Sequence, residues 1–223
     1  MHGITPNQKV GALAAQVSGA ASVFHRYGID FCCAGARTLA DACELAGVES
    51  EAVVRDITEA SGVEDDATGW DERTNDELID HILTRYHRPL DEQLPQLDGW
   101  AQKVFRVHGD KDPQKLSALT DAVALLRAEL EAHMLKEEEI LFPWIRAGRG
   151  AAAGAPVAVM IREHEDAGKL LDEIVELTDG FQPPRGACAT WRALWLGLEV
   201  LNSDLRRHIH LENNILFPRA LAS

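Results

Sequence analysis

The chain has 223 residues, and its hydrophobic content of 46% is enough for a buried core. Its formal charge of −14 leaves no Lys/Arg stripe to displace counterions from nucleic acid and disfavours an anionic membrane surface. No run reaches the ~20 apolar residues of a membrane helix, and the N-terminus lacks a basic segment followed by an apolar one. Four cysteines are too few for a disulfide scaffold, so reduced thiols in a cytoplasm are expected.

Ala, Leu, Glu and Arg dominate, which favours an all-α chain. Residues 1–62 read as a small helical domain. Val10, Leu13, Val17, Val23 and Phe24 keep helical spacing up to His25, and Gly28 stops the run. Thr38 to Gly47 forms a second helix with Thr38 as N-cap and Gly47 just past its end. Glu49 to Ala60 forms a third. Residues 63–75 are polar, acidic and broken by glycine, and serve as a linker.

Residues 76–223 then carry four long helical patterns, over about 75–107, 113–147, 155–180 and 187–217. Thr74 or Asn75 caps the first, and Pro113 opens the second. Short connections between long helices predict an up-down-up-down four-helix bundle. Pro89 and Pro95 fall inside the first helix, where each should kink or interrupt it.

The most informative feature is a repeat. Residues 133–143 read H-M-L-K-E-E-E-I-L-F-P and residues 208–218 read H-I-H-L-E-N-N-I-L-F-P. His, Glu, Ile, Leu, Phe and Pro recur at equal offsets, and each copy has one further histidine a helix and a loop upstream, His87 and His164. Positions i and i+4 share a helix face, so His133 with Glu137, and His208 with Glu212, each present an imidazole and a carboxylate together. Glu138 and Glu139 are expected to point elsewhere.

In such a bundle four imidazoles and two carboxylates would converge, a donor set for two transition metals rather than for Ca or Mg. Residue chemistry alone leaves Fe, Mn and Zn open. Glu137 and Glu212 could each bridge two ions. Glu129 and Asp204, one turn before His133 and His208, are candidates for orienting the imidazoles or relaying protons. The Leu-Phe-Pro ends read as core anchors and helix stops. His2, His25, His81, His108 and His210 read as ordinary surface or core residues, and Cys43 and Cys188 as structural.

These motifs resemble hemerythrin-like di-iron proteins. Together with Y-G-I-D-F-C-C-A-G at 27–35, R-Y-H-R-P-L-D-E-Q-L-P-Q-L around His87 and R-E-H-E-D-A-G at 162–168, the chain resembles the RIC ("repair of iron centres") family along nearly its whole length. The resemblance implies a hemerythrin-like bundle that restores iron–sulfur clusters damaged by nitric oxide or oxidants, by supplying iron. It places two non-haem irons on His87, His133, Glu137, His164, His208 and Glu212, bridged by Glu137, Glu212 and an oxo or hydroxo group.

The paired cysteines of the family fall on Cys32 and Cys33, read as exposed thiols able to bind iron, accept a nitrosyl or join another chain. Ala34 stands where the family has Gly, and Pro89 is a departure from it. Implied partners are damaged iron–sulfur proteins or cluster-assembly proteins, with nitric oxide or oxygen as small ligands and a homodimer as one permitted assembly. Two alternatives remain open at this point: reduction of nitric oxide to nitrous oxide, and reversible oxygen or nitric oxide binding.

Overall fold

A computed structural model describes residues 4–61, 68–70 and 73–223. His2 and most of the expected 63–75 linker lie outside the described residues. Every regular element among them is helical: α1 Val10–Gln16, α2 Ala20–Arg26, α3 Leu39–Ala46, α4 Ser50–Ala60, α5 Asn75–Ile82, α6 Arg88–His108, α7 Pro113–Lys136, α8 Phe142–Arg146, α9 Gly154–Leu177, α10 Ala189–Leu211 and α11 Phe217–Leu221. No described helix is long and apolar enough to cross a membrane. Backbone packing divides the chain into two compact units, one of residues 1–80, 145–154 and 206–223, the other of residues 81–144 and 155–205.

In the first unit, the run expected to be continuous from Val10 to His25 breaks into α1 and α2. Gly19 supplies the break with φ +83° and stands as N-cap of α2. Thr38 caps α3 by accepting from the Asp41 amide, and Gly47 closes it in the left-handed conformation. Val10, Leu13, Phe24, Phe31, Leu39, Val53 and Ile57 make the core, each worth about 1.5–3 kcal/mol of burial for side chains of this size. The chain before α1 pairs with the chain before α3, through Val10 N–H to Arg37 O and Gly11 N–H to Gly35 O, both 3.0 Å, and Leu39 N–H to Gln8 O, 2.8 Å. These bonds close the loop that carries Cys32 and Cys33. Arg26 at the end of α2 and the hydroxyl of Tyr27 just after it bind Asp56 of α4 at 2.7 and 2.9 Å and so tie α2 to α4.

In the second unit the buried positions follow heptad spacing. On α6 and the turn before it the stripe is His87, Leu90, Leu94, Leu97, Ala101 and Val104. On α7 and the turn after it the stripe is Leu116, Leu119, Val123, Leu126, Leu130, His133 and Glu137. On α9 it is Val157, Met160, His164, Ala167, Leu171 and Ile174. Helix α10 repeats the α7 register with Trp191, Leu194, Leu198, Leu201 and Leu205, and the same spacing along the chain reaches His208 and Glu212, which belong to the first unit. The metal-capable side chains thus occupy positions that leucines fill elsewhere on the same helices.

The prolines behave differently from expectation. Thr74 and Glu77 form a capping box at the start of α5. Three π-helical turns follow in the chain, Leu83–His87, Glu137–Leu141 and Glu212–Leu216. In each, an amide reaches back five residues: Arg88 to Leu83 O, Phe142 to Glu137 O and Phe217 to Glu212 O. Pro89, Pro143 and Pro218 come two residues after these turns. A proline in a regular helix removes a donor and crowds the carbonyl four residues earlier, and the wider turn relieves that crowding. The Leu-Phe-Pro ends are therefore not helix stops, because α8 and α11 continue past them. Pro95 does not interrupt α6 either. It sits on the exposed face, where water can satisfy the carbonyl it leaves.

Candidate metal centre

His87 is the last residue of the first π turn, and Glu137 and Glu212 are the first residues of the other two. These three ligand candidates stand where the helix changes pitch, whereas His133, His164 and His208 lie within regular α-helix. Glu137 is fully buried, and neither of its carboxylate oxygens has a hydrogen-bond donor. The Nε2 atoms of His133 and His87 face Glu137 Oε2 at 3.4 and 3.5 Å, too long for strong hydrogen bonds. Burial pushes the Glu137 carboxyl up, but the His133 and His87 imidazoles outweigh it and hold it well below the usual carboxylate range. A desolvated, ionised carboxylate with no donor is costly unless a cation completes it.

The imidazoles are turned toward the same place. His87 Nδ1 is 2.9 Å from Glu138 Oε1, and His133 Nδ1 is 2.8 Å from Glu163 Oε2. When these rings are neutral, a carboxylate at Nδ1 favours the proton there and leaves Nε2 available to bind a metal on the Glu137 side. His164 Nε2 lies 3.0 Å from His133 Nε2. At that separation both nitrogens could serve one metal ion. On the repeat's second copy, His208 Nε2 is 3.0 Å from Glu212 Oε1, and both residues are buried.

Within the second unit, His133, Glu137 and His164 are buried and offer one ligand atom each within 4.8 Å of one another, enough to hold a metal ion, and His87 faces the same Glu137. Within the first unit, His208 and Glu212 form a second buried His/Glu pair. These buried His/Glu clusters fit a di-iron site.

The neighbours differ from those expected. Glu138 does not point elsewhere: it binds His87 Nδ1 and is held in turn by Arg88. Glu163 binds His133 and Lys136. Burial raises both carboxyls, but Arg88 and His87 in the one case, and Lys136 and His133 in the other, bring them below their ordinary value. Glu129 is exposed and lines a cavity of about 190 Å³ with Glu163, His133 and His164. Asp204 accepts two hydrogen bonds from Arg85, at 3.0 and 3.2 Å. Neither Glu138 nor Glu163 follows from spacing on one helix, since each reaches a histidine on another. His210, read as ordinary, is fully buried, packs its ring 5.5 Å from Phe31, and is pushed down to about 4 by burial, against a smaller opposing bond to the Phe31 backbone.

Cys32 is buried rather than exposed, and Cys33 is half-buried. Asp30 Oδ1 accepts from both of their amides at 3.2 and 2.9 Å, and the two sulfurs are 3.8 Å apart. The Cys33 thiol, burial and the charge of Asp30 all raise the Cys32 pKa well above the ordinary thiol value. Cys32 is therefore held as a thiol, not a thiolate. From the third π turn, Asn213 and Asn214 donate to Cys32 O, and Asn214 also to Phe31 O, all at 3.2 Å. A Cβ on Gly35 would stand 2.1 Å from Asn214 Oδ1, so this loop closes on Asn214 only because residue 35 has no side chain.

Residues 78–220 match the hemerythrin HHE cation binding domain. The chain belongs to this hemerythrin family. Residues 6–61 of the same family member match a second domain, ScdA_N, described as a domain of unknown function. The chain is 43% identical over 215 residues to the iron-sulfur cluster repair protein YtfE of Dickeya chrysanthemi, covering 96% of this chain and 97% of that protein. It is 43% identical over 218 residues to the protein of the same name from Escherichia coli O17:K52:H18, covering 97% of each. Identity to the Edwardsiella ictaluri protein, also so named, is 44% over 217 residues, 96% of this chain and 97% of that protein.

Proposed function

We propose that this hemerythrin-family chain is a di-iron protein that repairs iron–sulfur clusters damaged by nitrosative or oxidative stress, by supplying iron. The observation that carries the reading is the Glu137 carboxylate, buried and without a hydrogen-bond donor, faced by the Nε2 atoms of two imidazoles whose Nδ1 atoms are held by Glu138 and Glu163. Full-length similarity to proteins named for iron–sulfur cluster repair supports the biological role. In this reading His87, His133, Glu137, His164, His208 and Glu212 would hold the two irons, with Glu137 and Glu212 as the carboxylates able to be shared. Bound ferrous iron supplies the exchangeable metal from which a cluster is rebuilt.

The protein's own residues set the terms of that exchange. Glu138 and Glu163 hold the His87 and His133 rings in place through Nδ1. Residues 1–62 and 76–223, joined by 63–75, are the proposed domains. Cys32 and Cys33 present a docking loop to a damaged cluster protein, in the cytoplasm.

The test is reconstitution. The purified chain is prepared with iron and stripped of it, and each form is mixed under anaerobic conditions with a nitric oxide-damaged cluster enzyme. Metal analysis and Mössbauer spectra should show two irons per chain, and only the loaded form should restore activity. Equal recovery with the stripped form would remove iron supply from the reading.

A further inference from the structure

A second chemically equipped place lies within the second unit, at the C-terminal end of α6 and the N-terminal end of α7. His108 Nε2 lies 3.3 Å from Cys188 Sγ, so the thiol can donate its proton directly to an imidazole. Both residues are half-buried and therefore reachable. The His108 ring packs on Trp191 with centroids 5.0 Å apart, and Trp195 meets Trp191 edge-on at 5.7 Å. Trp191 is 4% exposed, and its indole N–H is buried with no hydrogen-bond acceptor. The same two indoles line a cavity of about 240 Å³ whose other walls include Lys111, Lys115, Asp179 and Arg185.

The charges around this cavity do not cancel. Lys115 is paired with Asp179 at 2.6 Å, and the Asp112 carboxylate is used as N-cap of α7. Lys111 lies 5.8 Å over the Trp191 ring, and Arg185 is exposed three residues before Cys188. What remains is a thiol–imidazole pair that meets the cavity at Trp191 through the His108 ring, with Lys111 and Arg185 outnumbering the Asp112 carboxylate among the cavity's charges and an indole donor that lacks an acceptor. That combination suits a negatively charged molecule that reacts with thiols.

We propose that Cys188 is a site of thiol–disulfide exchange with anionic low-molecular-weight disulfides, with Lys111 and Arg185 binding the carboxylates of the incoming molecule. His108 takes the Cys188 proton. The Cys188 sulfur attacks one sulfur of the disulfide, forming a mixed disulfide as the original S–S bond breaks. The departing thiolate takes the proton back from His108 and leaves as a thiol. One thiol and one disulfide enter and one of each leaves, so no further oxidant is needed.

Oxidised glutathione and the uncharged bis(2-hydroxyethyl) disulfide are the probes, used on the full chain with the adducts mapped by peptide mass spectrometry. Oxidised glutathione should modify Cys188 ahead of Cys32, Cys33 and Cys43. His108→Gln should slow both probes by about tenfold, through the lost proton acceptor. Lys111→Met combined with Arg185→Gln should slow the charged probe by about tenfold and leave the uncharged one unchanged. Near-UV circular dichroism of the tryptophans checks that each variant is folded. Preferential reaction elsewhere, an unchanged rate in His108→Gln, or equal slowing of both probes in the double variant would each overturn the proposal.

Discussion

Glu138 and Glu163 act on their histidines through the ring nitrogen that faces away from Glu137. Their replacement by glutamine keeps size and polarity but removes the charge that fixes the tautomer. Glu138→Gln and Glu163→Gln should each lower metal affinity by about 10–100-fold with the helical content unchanged, as measured by competition against a chelator. Unchanged affinity in both would separate these carboxylates from the site. At this scale the sequence was legible where a donor and its partner share one helix, as in His133 and Glu137 or His208 and Glu212. It was not legible where the partner sits on another helix. Glu138 follows Glu137 immediately, and i to i+5 spacing says nothing about a histidine fifty positions away. The burial of Cys32 was also hidden, because it depends on Asn213 and Asn214 from the far end of the chain.

Elements were read from spacing, caps and breakers, and those signals are unequal. Thr38 with Asp41 and Gly47, and Pro113 after Asp112, fixed their helix ends because the cap is local chemistry. The division of α1 from α2 was missed because Val10 to Phe24 keeps apolar spacing straight through Gly19. That glycine is obligatory: its φ is +83°, and an added Cβ would stand 2.8 Å from Ala60 O. Gly19→Ala should cost about 1–2 kcal/mol for the left-handed backbone alone and more for the contact, seen as a lower midpoint in urea unfolding. An unchanged midpoint would show that the α1–α2 turn tolerates another conformation. Prolines were the weakest signal. A proline in a helical pattern announces that something must give, but a stop, a kink and a wide turn look alike in the sequence, and here Pro89, Pro143 and Pro218 all chose the wide turn.

For the molecule as a whole, the absence of β-branched, turn-rich runs made the all-α class readable, and the heptad registers explain why. Once His87, His133, His164 and His208 are seen to take core positions of apolar stripes, their polarity there is an anomaly that demands a partner. Global stability also has a readable pH dependence outside the metal site. Burial, with Arg206 and Arg207 adding to it, lowers the His25 pKa below its ordinary value. The folded state then binds fewer protons than the unfolded one, so His25's contribution is complete above the unfolded histidine pKa, about 6.5, and is lost as pH falls below it. His25→Gln should flatten the fall in unfolding free energy below about pH 6.5, relative to the parent chain in urea titrations. An identical slope would assign the acid sensitivity to other groups.

A wide helical turn is one surplus residue, and in an ordinary helix such a dislocation can creep along the rod as hydrogen bonds exchange partners one at a time. Creep toward the C-terminus requires the next amide in line to donate. Two residues beyond each of the three turns that amide belongs to a proline and does not exist. Pro89, Pro143 and Pro218 therefore act as pins, holding each dislocation against His87, Glu137 or Glu212 while the rest of the helix remains free to breathe.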